Sequence, residues 1–334
     1  MLTELSNLRG VSGDEGAVRQ VIAGYLKDST AKMTTDTMGN LLVRKGEVVG
    51  KPRIMLSAHM DEVGLMVMAI EKSGYLKFKP VGGIDTRVLV AKRLRVGAKG
   101  LLGVIGSKAI HLQKMGEQKK PYDEETLYID CGFKSREEAE KHVKTGDYVT
   151  FDSSCVALGD GFYRGKAFDD RVGCAVLLEL LLEQNSLVFD AAFTVQEEIG
   201  TRGASVAAYT LKPQVALVVE ATAAGDTPDT AKEAVSTNLG QGPAISIMDR
   251  SILVDRKVRQ QLVEAATAAA VPYQFRRFTG AATEAGTIAL SREGVKTGVV
   301  AVPCRYIHSP HNILQESDLK ATVSLIRAWL EAQQ

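Results

Sequence analysis

Asp169 and Asp170 stand side by side between a Gly-Lys turn (Gly165, Lys166) and an apolar run over 172–182. Like charges in one place raise each other's pKa and cost stability, and a nearby cation reverses that cost. Further ionisable groups sit where short apolar runs end. His59 follows 53–58, Glu197 and Glu198 follow 189–195, Glu220 follows 215–219, and His308 follows 297–302. In open α/β sheets the carboxyl ends of strands share one edge, where ligands bind. Two imidazoles and three carboxylates, with one Glu to spare, suit two divalent ions such as Zn, Co or Mn. Two ions about 3.5–4 Å apart share a water, lower its pKa toward neutrality and polarise a carbonyl under attack. A carboxylate beside them can pass the water's proton to a leaving amine. Adjacent Glu197 and Glu198 point different ways on an extended chain, so one is expected as ligand and the other as base; spacing alone leaves the order open. Asp61 shares a face with His59 and is placed to accept the second imidazole N–H. Taken singly, such groups are more often structural or solvated. Their repetition after apolar strands is what solvent exposure does not explain. Of the remaining histidines, His142 reads as surface beside Glu138 and Lys141, and His111 and His311 are unassigned.

The elements that must position these groups follow from the pattern. The chain has 334 residues, 45% hydrophobic and 24% charged, enough for one large domain or two ordinary ones. Lys+Arg is 41 and Asp+Glu 40, so the net charge of +1 argues against broad binding to nucleic acid or an anionic membrane. No apolar run reaches the roughly 18–20 residues that span a bilayer. Residues 1–5 lack the basic start and apolar core of a signal peptide, so a cytoplasmic protein is expected. Cys131, Cys155, Cys174 and Cys304 are far apart with no CxxC and read as free thiols.

Ser12 and Glu15 form a capping-box pattern ahead of Val18, Val21, Ile22 and Tyr25, which predicts a first amphipathic helix. Strands are expected over 40–43 and 53–58. From 64 to 158 the pattern turns to short β-rich runs (64–70, 75–81, 92–98, 100–105, 148–151), with a single helix over 135–143 that starts at a second box, Ser135 and Glu138. Alternation then returns: helices over 171–184, 204–209, 258–270, 285–292 and 318–333, and strands over 189–195, 215–219, 244–247 and 297–302. The expected fold is α/β. A doubly wound, mainly parallel sheet is built from residues 1–65 and 160–334, with a small β-rich domain inserted at 66–159.

AHMDEVG (58–64), GKAFDDRVG (165–173), VQEEIGTRGA (195–204) and CRYIHSP (304–310) together resemble the cytoplasmic tetrahedral aminopeptidases, co-catalytic metallopeptidases also labelled glutamyl aminopeptidase or endoglucanase. The likeness covers nearly the whole chain. GVIGSKAIHLQ (103–113) and LYIDCGFKSREEAE (127–140) resemble that family's dimerisation domain. The resemblance implies two divalent metal ions per subunit, Zn or Co first and Mn as well. His59 and His308 would each bind one ion, Asp169 would bridge them ahead of a cis peptide to Asp170, and Glu198 and Glu220 would complete one site each. Glu197 would be the general base and Asp61 the partner of His59. It further implies removal of N-terminal residues from peptides and assembly through dimers into hollow tetrahedral dodecamers. Two segments depart from many relatives: Glu220 stands in VVEATAAGD for Asp, and GAATEAG (280–286) carries Ala282 and Glu284 near the substrate pocket. Arg276, Arg277 and Glu284 give that segment both signs, so the preferred N-terminal residue stays open. A related metal amidohydrolase (deacylase or carboxypeptidase) is the rival enzyme, and a non-catalytic assembly protein the rival binder. A glycosidase acid/base pair would leave His59 and His308 without a role.

Overall fold

The computed structural model describes residues 1–47, 50–116, 120–277 and 279–333. The chain opens with α1 (Leu2–Asn7), α2 (Gly16–Leu26), β1 (Lys32–Thr35), β2 (Leu41–Lys45) and β3 (Ile54–His59). Next come β4 (Gly64–Ile70), β5 (Leu76–Val81), β6 (Arg93–Val96), β7 (Leu101–Gly106), β8 (Tyr128–Asp130), the single-turn α3 (Arg136–Ala139) and β9 (Tyr148–Phe151). The remainder is β10 (Val156–Ala157), β11 (Phe162–Gly165), α4 (Phe168–Leu182), β12 (Phe189–Thr194), α5 (Arg202–Leu211), β13 (Val215–Ala223) and β14 (Ala244–Ser246). It ends with α6 (Arg256–Ala268), β15 (Gln274–Arg276), α7 (Ala285–Ala289), β16 (Lys296–Cys304), β17 (Asn312–Gln315) and α8 (Glu316–Ala332).

An 8-stranded sheet in the order β1-β2-β12-β3-β13-β16-β14-β15 carries the chemistry. Its centre, β12-β3-β13-β16, is parallel. These strands are nearly continuous apolar runs because helices cover both faces. Alternate residues of β3 divide between the two layers: Leu56 packs with Ile22, Leu177, Leu262 and Trp329 from α2, α4, α6 and α8, and Met55 with Ala208, Leu211 and Ile288 from α5 and α7. The edges depart from the expected mainly parallel sheet. β1 and β2 pair antiparallel, β2 adds antiparallel to β12, and β14 runs antiparallel to β16. The sheet is therefore mixed. A connection of five residues between β1 and β2 is too short for a parallel crossover.

Between β3 and β10 the chain closes a barrel, β4-β5-β8-β7-β6-β9, with a core of its own that includes Leu65, Phe78, Leu94, Ile105, Ile129 and Phe151. A third, 3-stranded sheet joins β10, β11 and β17. Among the described residues no helix is long and apolar enough to cross a membrane, and all four cysteines are free.

Three expectations are corrected. Ser12 does not cap α2: the helix starts at Gly16 with Glu15 at its cap position, because the Ser12 and Glu15 side chains are drawn to partners distant in sequence. The second box does form, with Ser135 accepting from the Glu138 amide and Glu138 from the Lys134 amide, but α3 stops at Ala139. β13 does not end before Glu220. Its pairing with β16 continues to Ala223 opposite Cys304, so Glu220 lies inside a strand.

A buried polar hub ties the N-terminal segment to the site. Arg171, wholly buried, donates to the carbonyls of Met60 (2.7 Å), Leu5 (2.5 Å) and Gly10 (3.5 Å). Glu62 lies 3.7 Å away and accepts from Lys166 Nζ (2.6 Å) and the Gly10 amide (3.1 Å). Removing one member strands the others in a dry interior. Arg171→Met is expected to lower unfolding free energy by about 3–5 kcal/mol, read from urea denaturation, whereas a change at exposed Lys27 should leave it within about 0.5 kcal/mol.

Candidate metal centre

The parallel pairing of β12, β3, β13 and β16 brings their carboxyl ends to one edge, and the site is built there. His59 is the last residue of β3. Its Nδ1 donates to the Asp61 carbonyl (3.1 Å). A carbonyl can only accept, so this contact fixes the proton on Nδ1 and turns Nε2 inward. His308 is held the same way, Nδ1 donating to the Gly83 carbonyl in the β5–β6 connection (2.8 Å). Asp169 stands between the two rings: Oδ1 is 3.1 Å from His59 Nε2 and Oδ2 is 3.1 Å from His308 Nε2. Each imidazole has one further carboxylate. Glu220 Oε1 lies 3.4 Å from His59 Nε2, and Glu198 Oε1 lies 3.2 Å from His308 Nε2. Two groups result, His59–Asp169–Glu220 and Asp169–Glu198–His308, with the ligand atoms of each within 4.8 Å of one another. Glu197 belongs to neither, its Oε2 standing 4.0 Å from His59 Nε2. Geometry thus separates the two glutamates that spacing left equivalent.

Carboxylates outside these groups hold the backbone. Asp61 accepts from the amides of Glu197 (3.0 Å) and Glu198 (3.1 Å) and from the Ser12 hydroxyl (2.6 Å), while its Oδ1 is 3.4 Å from His59 Nδ1. It fixes the turn after β12 more directly than it fixes the ring. Glu15 accepts from the amides of Gly13 and Gln196. Asp170 follows Asp169 across a cis peptide and accepts from the His59 amide (3.2 Å) and the Gly173 amide (3.0 Å). A Cβ at Gly173 would collide with that carboxylate, so the close approach needs glycine there. Asn312 accepts from the Phe168 amide (3.1 Å) and donates to the carbonyls of Tyr306 (2.8 Å) and Ser309 (3.1 Å), joining the Asp169 segment to the His308 turn.

The electrostatics test whether cations fit. Burial pushes Glu220 up to about 8, and Asp169 and Glu284 push the same way. Burial likewise raises Glu197, Glu198 and Asp170. Burial would lower His308, but Asp169 and Glu198 outweigh it and hold the ring at about 11. His59 rises too, with Glu220 and Asp169 prevailing over burial. Asp169 falls well below the ordinary range because two imidazoles overcome its burial. Protons are thus retained where positive charge is short. Glu198 Oε1 is also buried without a hydrogen-bond partner. A donor set of hard carboxylate oxygens and borderline imidazole nitrogens that holds protons so tightly suits divalent ions, which take the protons' place on binding.

The residues singled out after strands (His59, Glu197, Glu198, Glu220 and His308), at the head of a helix (Asp169) and beside His59 (Asp61) all lie within this one site. The pocket segment differs from expectation. Glu284 is fully buried and accepts from the Thr194 hydroxyl (2.6 Å). Arg277 lines a separate surface groove. Arg276 alone of the three borders the cavity beside the site. Ser12, Glu15, Gly83 and Asn312 carry no sequence mark of the site because each reaches it through a partner far off in sequence: Asp61, Gln196, His308 and Phe168. Only the closeness of Ser12 and Glu15 gave a signal, and it pointed to a helix cap.

The family model of the M42 glutamyl aminopeptidases matches residues 39–325. An aminopeptidase structure from the archaeon Desulfurococcus kamchatkensis superposes with a TM-score of 0.93 at 37% identity, covering 100% of this chain and 96% of that one. The TET1 peptidase of Pyrococcus horikoshii, described as assembling into a tetrahedron or a large octahedral shell, gives 0.86 at 34% identity over 98% and 97%. A lysyl aminopeptidase of Pyrococcus furiosus is 34% identical over 96% of this chain and 93% of its own length. With this match over most of its length, and with paired carboxylate–imidazole groups at the sheet edge, the chain belongs to the M42 glutamyl aminopeptidase family.

Proposed function

We propose that the chain is a metal-dependent aminopeptidase that removes N-terminal residues from peptides with two divalent ions, Zn or Co first. His59, Asp169 and Glu220 would hold one ion, and Asp169, Glu198 and His308 the other. The observation that carries this reading is Asp169 itself: each of its oxygens is 3.1 Å from a different inward-turned Nε2, and each ring has its own glutamate. When bound, the ions would supply a water of lowered pKa and an electrophile for the scissile carbonyl.

The protein's own groups do the rest. Glu197 is half-buried, outside both groups and of raised pKa. A carboxylate so placed takes the attacking water's proton and delivers it to the departing amine. Asp61 holds the amides of Glu197 and Glu198, so base and neighbouring ligand keep a fixed spacing. Carbonyls of Asp61 and Gly83 hold the two rings in the tautomer that leaves Nε2 free.

A relative that can assemble into a tetrahedron or a large octahedral shell supports self-association, which in this reading runs through dimers to tetrahedral dodecamers. The barrel offers a surface for it: on β7, Leu102 is 56% and Val104 43% exposed. Both lie on one face of the strand, and burial against a twin would remove that apolar area from water.

Four outcomes are expected. Glu197→Gln should bind as much metal as the wild type yet lose about 10²–10⁴-fold in kcat on leucyl p-nitroanilide; an unchanged kcat excludes Glu197 as the base. The wild type should also spare N-acetylated peptides, which a deacylase would attack. Metal analysis should find Asp169→Asn depleted of both ions and Glu220→Gln depleted chiefly of one. Leu102→Glu combined with Val104→Glu should shift light-scattering mass toward smaller species, and retention of the full assembly would place the interface elsewhere.

A further inference from the structure

Family membership leaves the substrate's first residue open, since the family's description names glutamyl and a relative is a lysyl aminopeptidase. The cavity beside the metal centre, ≈ 140 Å³, narrows the choice. One wall is the site itself, with Asp169, Glu197, Glu198 and Glu220. The rest of the lining includes four alanines (Ala221, Ala223, Ala281, Ala282) and Arg276, the last residue of β15. No other Lys or Arg among the described residues lines it.

Arg276 is only 3% exposed, and its Nε and Nη2 are buried without a hydrogen-bond partner. The nearest acid is Asp249, whose Oδ2 is 3.6 Å from Nη2, beyond hydrogen-bond reach. Both oxygens of Asp249 are already engaged: Oδ2 accepts from the Thr283 hydroxyl (2.8 Å), and Oδ1 from the amides of Ser251 (2.7 Å) and Ile252 (3.1 Å). Asp249 therefore anchors the positive charge without using its donors. Unmet donors on a buried guanidinium are costly, and the planar fork matches a carboxylate bidentately. The acidic residue of the same segment, Glu284, is buried away from the cavity and does not compete.

We infer that Arg276 receives the side-chain carboxylate of the substrate's N-terminal residue, which makes this chain selective for peptides that begin with Glu or Asp. The inference rests on the aminopeptidase reading and deepens it. The same cavity is lined by Asp169, His308 and Arg276, so in this reading a peptide with its scissile carbonyl at the two histidines places its first side chain here. Acidic, neutral and basic side chains are then sorted by the one arginine in the cavity's lining.

The test uses the metal-loaded full chain with glutamyl, glutaminyl, leucyl and lysyl p-nitroanilides. Glutaminyl is the decisive comparison, having the size of glutamyl without its charge. The expected kcat/KM for glutamyl exceeds that for glutaminyl by about a hundredfold, the worth of a charge-assisted pair. Arg276→Gln should bring the ratio to within about threefold of unity, and Arg276→Lys should restore part of it, with circular dichroism melts checking that each variant folds. With the leucyl substrate as reporter, free L-glutamate should inhibit the wild type at least about tenfold more tightly than L-glutamine, and Arg276→Gln should abolish the difference. A wild type that prefers leucyl or lysyl, a glutamyl-to-glutaminyl ratio near one, or a folded Arg276→Gln that keeps the ratio overturns the assignment while leaving the aminopeptidase reading intact. Failure to cleave any of the four overturns that reading, and the assignment with it.

Discussion

Negative charge crowded into a largely buried site governs this protein. Asp169, Glu197, Glu198 and Glu220 meet around two imidazoles, and Asp170 and Asp61 lie directly behind them. Such a cluster cannot be fully ionised on its own. Burial pushes Glu197, Glu198, Glu220 and Asp170 up, while Asp169, flanked by both rings, falls and the imidazoles hold their protons. A cation held among these groups would relieve that repulsion. What the fold must do is keep the cluster from relaxing apart.

It does so by division of labour. The carboxylates that face the centre come from separate segments: one from inside β13, others from the turn after β12 and the start of α4. A second set, Asp61, Glu15, Asp170 and the side-chain amide of Asn312, faces backbone N–H and C=O groups and clamps those segments to one another. Beneath both lies the parallel centre of the sheet, where a shift of one strand would break ladders on two sides. Rigid strands set the ligands' positions and short polar clamps set their angles.

Much of this was legible in the sequence because strand ends leave a compositional mark. A buried apolar run seldom gives way within a residue or two to a group such as His59 or Glu197 unless a polar site lies at its end. The alternation of strands and helices likewise pointed to the parallel centre. The antiparallel edges did not show, since β1, β14 and β15 are three or four residues long and carry no periodicity of their own. Glu220 looked like a strand end because charge is rare within a buried strand, yet here the ladder runs past it. Ser12 and Glu15 matched a helix-cap pattern in spacing and were nevertheless recruited by Asp61 and Gln196. Local rules lose where a buried long-range partner offers a stronger bond. The sign of the pocket was hidden for the same reason: Arg276 and Glu284 are eight residues apart, and only the fold shows which faces the cavity.

The carbonyl of Gly83 belongs to the connection between β5 and β6, yet it orients His308 at the edge of the large sheet. The barrel is therefore no detachable appendage. A lineage could trim or exchange its outer strands freely, but replacing the whole insertion with an unrelated one would remove the acceptor that sets the His308 ring. Selection on the reaction thus reaches into the barrel at this one peptide, and the two parts of the chain are bound to evolve as one.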